Sequence, residues 1–368
     1  MSKIIRWGIL GTGYVAREFA QGLRSLPDAQ LLAIGSRTLT KAEEFARQLN
    51  VPRAYQSYED LVKDDNIDVV YIATPASRHK DDCILCLEAG KAILCEKPFT
   101  LNAQEASEII ALARQKQLFC MEAMWMRFMP LIQKVQSLIN SGVIGDIRIL
   151  MADFGVPTEF NPDNRFFNPQ LGGGALLDRG IYCLSLAFQL LGLPSQIVSQ
   201  ASIGETGVDE QSSIILNYPQ GKQAILYATL RTYTSNEAVI MGTKGKIRIH
   251  EPFCRPNKIS IINFPAIVTT TSSPSFSRKQ KMVSYLKQNP LIQRLSIQLK
   301  SYISPLLGKS AKAIVQPFNG NGYNYEAAEV MRCLRDGELE SKIMPLDQTL
   351  MIMEAMDTIS TQWNLGNS

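Results

Sequence analysis

Apolar residues follow two different rhythms along this chain, and the change comes close to residue 123. Before it, short apolar runs alternate with stretches in which apolar positions recur every three or four residues. The runs at Ile4 to Leu10, "AQLLAIGSR", Val69 to Ala73, "AILCE" and "LFCMEA" read as buried strands, and the stretches between them as amphipathic helices. Strand and helix alternating at this spacing predict a doubly wound parallel sheet over residues 1–122. From Met124 the texture changes. After a helix over "MRFMPLIQKVQSLINSG", the span from Gln196 to His250 carries turn-bounded runs such as "QSSIILNYPQGKQAILYATLRTY" with no helices between them. Such runs predict a second domain, 123–368, built on a large, mainly antiparallel open sheet.

Composition changes this picture little. The 368 residues, 45% hydrophobic and 20% charged, are ordinary globular usage for two domains. A net charge of +4 does not call for nucleic acid. Seven cysteines form an odd, scattered set, and the one Cys-x-x-Cys pair, Cys83 and Cys86, lies in a helical pattern. They read as core residues of a reducing compartment. The chain opens directly into a strand and holds no apolar run of about 18 residues, so the expected location is the cytoplasm.

Chemistry concentrates where strands end. Gly11-x-Gly13-x-x-Ala16 follows the first strand and opens a helix. Gly11 permits the tight turn, Gly13 admits a pyrophosphate to the backbone, and the helix amides hold it. After the second strand, where an acid would meet the ribose hydroxyls of NAD, the chain has Ser36, Arg37 and Thr38, then Lys41. A guanidinium pairs with a 2′-phosphate that an acid would repel, so the expected cofactor is NADP rather than NAD. A solvated helix start would leave the same pattern. Further along, Lys97 sits between Glu96 and Pro98 where a strand must stop, which aims its ammonium out of the carboxyl end of the sheet. In the second domain "LGGGALLDRGIY" carries Asp178 and Tyr182 four residues apart, on one helical face, as candidate proton handlers.

Taken together, "ILGTGYVA", "ATPASRH", "LEAGKAILCEKP" and "GGGALLDRGIY" closely resemble the glucose–fructose oxidoreductase and inositol dehydrogenase family of nicotinamide enzymes. "MEAMWMRF" and the C-terminal stretch from "NGYNYEAAEVMRCLRDGELES" look most like its dimeric dihydrodiol dehydrogenase and sugar dehydrogenase branch. The resemblance implies that Lys97 stands between nicotinamide and substrate, that Asp178 and Tyr182 match the family's Asp-x-x-x-His motif with tyrosine for histidine, and that Thr12, Tyr14, Val15, Thr74, Pro75, His79 and Glu96 join the cofactor site. His79 reads equally as a buried helix-start histidine. The resemblance also puts Trp125 and Phe154 in the substrate pocket. Arg179 departs from the pattern: it binds an anionic substrate or pairs with a neighbouring carboxylate. A tyrosine suits proton transfer near neutrality only if a cation such as Lys97 lowers its pKa. The implied activity is hydride transfer between NADP and a secondary alcohol or carbonyl of a sugar, polyol or dihydrodiol, without a metal. A nucleotide-binding sensor that turns nothing over is the alternative.

Two further expectations concern partners. An open sheet with one apolar face predicts a homodimer or tetramer. Between Glu251 and Glu326 there is no acidic residue, and within this insertion, 265–315, "PLIQRLSIQLKSYISPLLGK" has one apolar helical face. Residues 277–312 therefore read as a basic amphipathic segment that packs on the protein, covers the active site or touches an anionic membrane, with packing preferred.

Overall fold

The structure, a computed structural model, describes residues 3–265 and 312–364. Six parallel strands, β1 (Ile5–Leu10), β2 (Ala29–Gly35), β3 (Arg53–Tyr55), β4 (Val69–Ile72), β5 (Ala92–Glu96) and β6 (Cys120–Ala123), form one sheet in the order β3-β2-β1-β4-β5-β6. The helices between them are α1 (Tyr14–Leu23), α2 (Leu39–Gln48), α3 (Tyr58–Val62), α4 (His79–Glu88) and α5 (Ala103–Lys116). Helices on both faces explain why β4 and β5 are apolar from end to end: every residue of either strand is buried. Strand order reverses between β1 and β4, and there the loops after the two strands diverge to leave a crevice.

The second sheet has eight strands: β7 (Ile147–Gly155), β8 (Gln196–Ile203), β9 (Asp209–Tyr218), β10 (Lys222–Thr229), β11 (Ala238–Gly242), β12 (Gly245–Ile249), β13 (Lys258–Asn263) and β14 (Lys312–Val315). Their order is β14-β13-β12-β11-β7-β10-β9-β8, antiparallel except where β10 runs parallel to β7. Both sheets are those that the apolar rhythm predicts. On the inner face Leu150, Ile214, Leu216, Leu226 and Ile240 are buried, covered in part by α7 (Ile181–Leu191) and α9 (Leu346–Asn364). The outer face differs. Val198 pairs in register with Ile215, Ile215 with Ile225, Ile225 with Met151 and Met151 with Val239, an apolar stripe across five strands. Val198, Ile215 and Met151 on it are exposed.

Three elements complete the chain: α6 (Pro130–Asn140), α8 (Tyr323–Asp336) and α9. After the open sheet the chain returns, packing α8 on α1 and α9 on α5 and β6. The basic insertion lies almost wholly outside the described residues, and so does the amphipathic segment 277–312 except for its last residue. The end of the insertion, Lys312–Val315, is the edge strand β14 paired with β13. Among the described residues one segment, Pro169–Leu191, is long and apolar enough to cross a membrane, and most of it is buried inside the protein. All seven cysteines are free and buried.

Candidate active site

A cleft of about 490 Å³ lies over the switch point of the parallel sheet. Gly11 ends β1 at φ +106, and a Cβ there would meet the Ala73 carbonyl oxygen at 2.6 Å, so only glycine lets the two loops approach this closely. Gly13 has open space around its missing side chain. As the residue capping α1 it offers no side chain to the first amides, which leaves them free for an anion. Residues Gly11, Thr12, Gly13, Tyr14, Val15, Ser36, Arg37, Thr38, Lys41, Thr74, Pro75, His79, Glu96 and Lys97 all line this one cleft. Arg37 and Lys41 are exposed there, and neither forms an ion pair within the described residues. His79 lines the cleft wall. It is buried at the start of α4, with Nδ1 2.9 Å from the Pro98 carbonyl and Nε2 2.9 Å from that of Thr74, and it ties together two loops of the cleft wall.

Lys97 projects from the end of β5 as its position before Pro98 requires. Its Nζ donates to the backbone oxygen of Asp178 at 2.8 Å and to Oδ1 at 3.3 Å, and it lies 4.7 Å from the centre of the Tyr182 ring. Asp178 is not on a plain α-helix. A π-helical turn, Leu176–Gly180, precedes α7, and its wider winding brings Asp178 and Tyr182 to the same ammonium although the regular four-residue spacing is interrupted. Burial opposes ionisation of Asp178, but Lys97, Arg165 and Arg179 around it hold its carboxyl down at about 2.

Tyr182 corrects an expectation. Its pKa is pushed well above 10 by burial, not lowered. The physical reason is where the cation sits: Lys97 covers the ring face, while the hydroxyl accepts a hydrogen bond from Trp125 Nε1 at 3.0 Å. Trp125 stacks on Tyr323, and Phe154 packs on Tyr182 with ring centres 5.4 Å apart; both aromatics pack against the phenol, but neither they nor Tyr182 line the cleft.

Arg179 points away from the cleft. Its guanidinium donates to the backbone oxygens of Val156 and Thr229 and to Thr158 Oγ1, and its Nε lies 3.7 Å from Asp178 Oδ2. Of the two roles open to it, pairing with a carboxylate is the one this geometry contains. Glu122, near the end of the neighbouring strand β6, is buried and does not line the cleft; burial pushes its carboxyl up to about 7.

The sequence reading missed Arg165. It lies in a polar loop, its Nη1 donates to Asp178 Oδ1 at 3.0 Å, and it lines the cleft with Lys97. Tyr58, Leu171 and Gly172 also join the wall unannounced. No periodicity or motif marks a loop residue, and the only signal for Arg165 was a lone cation in "NPDNRFF".

Residues 5–124 match the model of an oxidoreductase family with an NAD-binding Rossmann fold, GFO/IDH/MocA, and residues 132–248 match a C-terminal domain of the same family. The chain is 36% identical over 357 residues to trans-1,2-dihydrobenzene-1,2-diol dehydrogenase of Mus musculus, covering 96% of this chain and 95% of that protein. This chain belongs to the GFO/IDH/MocA family. Like its relatives it is an NAD(P)-dependent oxidoreductase of the kind that acts on CH–OH donors. The human trans-1,2-dihydrobenzene-1,2-diol dehydrogenase is 33% identical over 359 residues, with 96% of each chain covered. Among solved structures, a 3-ketoreductase from Actinomadura kijaniata in complex with NADP and TDP-benzene superposes with TM-score 0.78 at 24% identity, 98% of each chain being covered. An aldose-aldose oxidoreductase from Caulobacter crescentus superposes with TM-score 0.79 at 20% identity and 99% coverage of both. At such identities these two establish the GFO/IDH/MocA fold alone.

Proposed function

We propose that this enzyme uses NADP to interconvert a secondary alcohol and a carbonyl in a sugar, polyol or dihydrodiol. The observation that carries the reading is the Lys97 ammonium at the end of β5, bonded to Asp178 inside the cofactor cleft. Lys97, Asp178 and Tyr182 are the groups assigned to the reaction. Gly11 to Val15, Ser36 to Thr38, Lys41, Thr74, Pro75, Glu96 and Lys97 would hold the dinucleotide, and its nicotinamide supplies the hydride donor or acceptor. Lys97 stabilises negative charge as it develops on the substrate oxygen, because its ammonium is fixed before the reaction begins. Asp178 stays ionised at neutral pH, so it orients Lys97 and accepts from a substrate hydroxyl rather than giving a proton. Tyr182 stays protonated, and because its oxygen accepts from Trp125, its own hydrogen is free to be donated to a carbonyl oxygen. Alcohol oxidation is the reverse of this step and needs Tyr182 as the phenolate, left by the preceding donation, to take the carbinol proton back.

The preference for NADP rests on Arg37 and Lys41, exposed in the cleft and without an ion pair among the described residues, with Ser36 and Thr38 beside them. A neighbour of the same fold was solved with NADP, which agrees. A homo-oligomer, dimer or tetramer, formed through the outer stripe of the open sheet would cover Val198, Ile215 and Met151. The seven free, buried cysteines suit a cytoplasmic enzyme. The test is to titrate the purified protein with NADPH and NADH, then follow nicotinamide absorbance with a panel of sugars, diols and dicarbonyls. Tight NADPH binding with no turnover of any of them would favour a silent sensor instead.

A further inference from the structure

Arg165 gives the reaction end of the cleft a charge balance that a neutral substrate does not need. It comes from the loop between β7 and the π-helical turn, and its guanidinium carbon lies 4.0 Å from the centre of the Phe166 ring, which holds the fork flat. Asp178 Oδ1 accepts from Arg165 at 3.0 Å and from Lys97 at 3.3 Å, so the two cations share one oxygen. Arg179 is the third cation at this carboxylate, and its donors are occupied by Val156, Thr229 and Thr158. Glu96, the other carboxyl in the cleft, is buried, accepts from the Tyr71 hydroxyl and the Lys97 amide, and is pushed by burial toward its neutral form. Arg165 is different from Arg179: its side chain is 58% exposed, and apart from the Nη1 bond to Asp178 its donors have no partner within the described residues.

We propose that Arg165 anchors an anionic group of the substrate, and that the preferred substrate is a sugar or polyol bearing a carboxylate within a few bonds of the reacting carbinol. A planar fork matches a carboxylate bidentately, and an Arg beside the reacting oxygen selects for an acid close to it in the substrate chain. The inference rests on the oxidoreductase reading above. The same oxyanion chemistry is present in the pyrophosphate of the dinucleotide, and the measurements separate the two sources.

Full-length wild-type protein and Arg165→Gln are compared on matched pairs, aldonates and uronates against the neutral alditols and aldoses of the same configuration, with NADPH affinity measured separately by fluorescence. The wild type should favour the acid of each pair in kcat/KM. In Arg165→Gln that acid-over-neutral ratio should fall about 10- to 100-fold, the worth of one charged bidentate contact, through KM more than kcat. NADPH affinity should hold, which also reports that the variant is folded, and Arg165→Lys should recover part of the ratio. Loss of NADPH affinity with an unchanged ratio would make Arg165 a cofactor clamp and overturn the inference. Wild-type preference for the neutral partner would overturn it too, while leaving the oxidoreductase reading intact. Failure of both members of every pair, with NADPH bound, would count against both.

Discussion

The two sheets bury themselves in different ways, and the difference decides which surface each leaves open. The parallel sheet is covered on both faces, so its strands have no free surface and can act only through their ends. Lys97 at the end of β5 and Gly11 at the end of β1 are what it offers to a ligand. The eight-stranded sheet is covered on one face. Ile214 is 1% exposed and Ile215 39%, although they are neighbours on β9. One face belongs to the core and the other is free to meet a partner.

The sharpest way to break this contrast is to put the same charge at those two neighbours. Ile214→Glu buries an unpaired carboxylate and should cost several kcal/mol, enough to prevent accumulation of folded protein. Ile215→Glu, with Met151→Glu, should leave the fold intact by circular dichroism and yield a smaller species in light scattering. A double variant of unchanged mass would remove the outer stripe from the interface.

Next in size is Lys97→Met. It removes the charge at the strand end without opening the sheet, and kcat should fall by about 10²- to 10⁴-fold. Calorimetry should still register NADPH binding. A variant that retains wild-type kcat would take Lys97 out of the reaction.

Arg37→Ala tests the other end of the cleft. The expected loss is about 1–3 kcal/mol for NADP and little for NAD, as for a charged hydrogen bond removed. Equal weakening of both cofactors, by fluorescence titration, would show that Arg37 does not read the phosphate.

The smallest effect comes from the open sheet's support of the turn beside the cleft. Asp209 begins β9 and accepts from the Leu176 amide at 2.8 Å, supporting the turn that carries Asp178. Burial pushes its carboxyl up to about 7. The folded state thus binds this proton more tightly than the unfolded chain does. The resulting stability is complete below about pH 4, where the unfolded carboxyl is protonated too, and is lost as pH rises through 7. Asp209→Asn should therefore hold its melting temperature better between pH 5 and 8 than the wild type, by about 2–4 °C at the upper end. Parallel melting curves for the two proteins would sink the idea.

Local chemistry made much of this protein legible in one dimension. Short apolar runs bounded by turn signals read as strands buried on both faces, and alternating runs as strands with two different faces, so both sheets follow from pattern. A proline after Lys97 and a glycine at Gly11 act on the backbone within a residue or two, so the strand ends and the cleft they line were readable as well. What pattern could not contain was direction and company at longer range. Arg179 lies next to Asp178 in sequence, yet its guanidinium turns to backbone carbonyls of β10 and the loop after β7. Arg165, thirteen residues from Asp178 along the chain, arrives on its carboxylate because the loop folds back over the cleft. Tyr182 lies beside Lys97, but whether the cation met its hydroxyl or its ring depended on Trp125 and Phe154, which come from other elements. Electrostatic energies fall with distance and rise with burial, and both are set only when the chain has closed on itself. Sequence therefore determined the strand ends and the motif residues that line the cleft, and tertiary structure decided which loop residues join them and which proton each group can hold there.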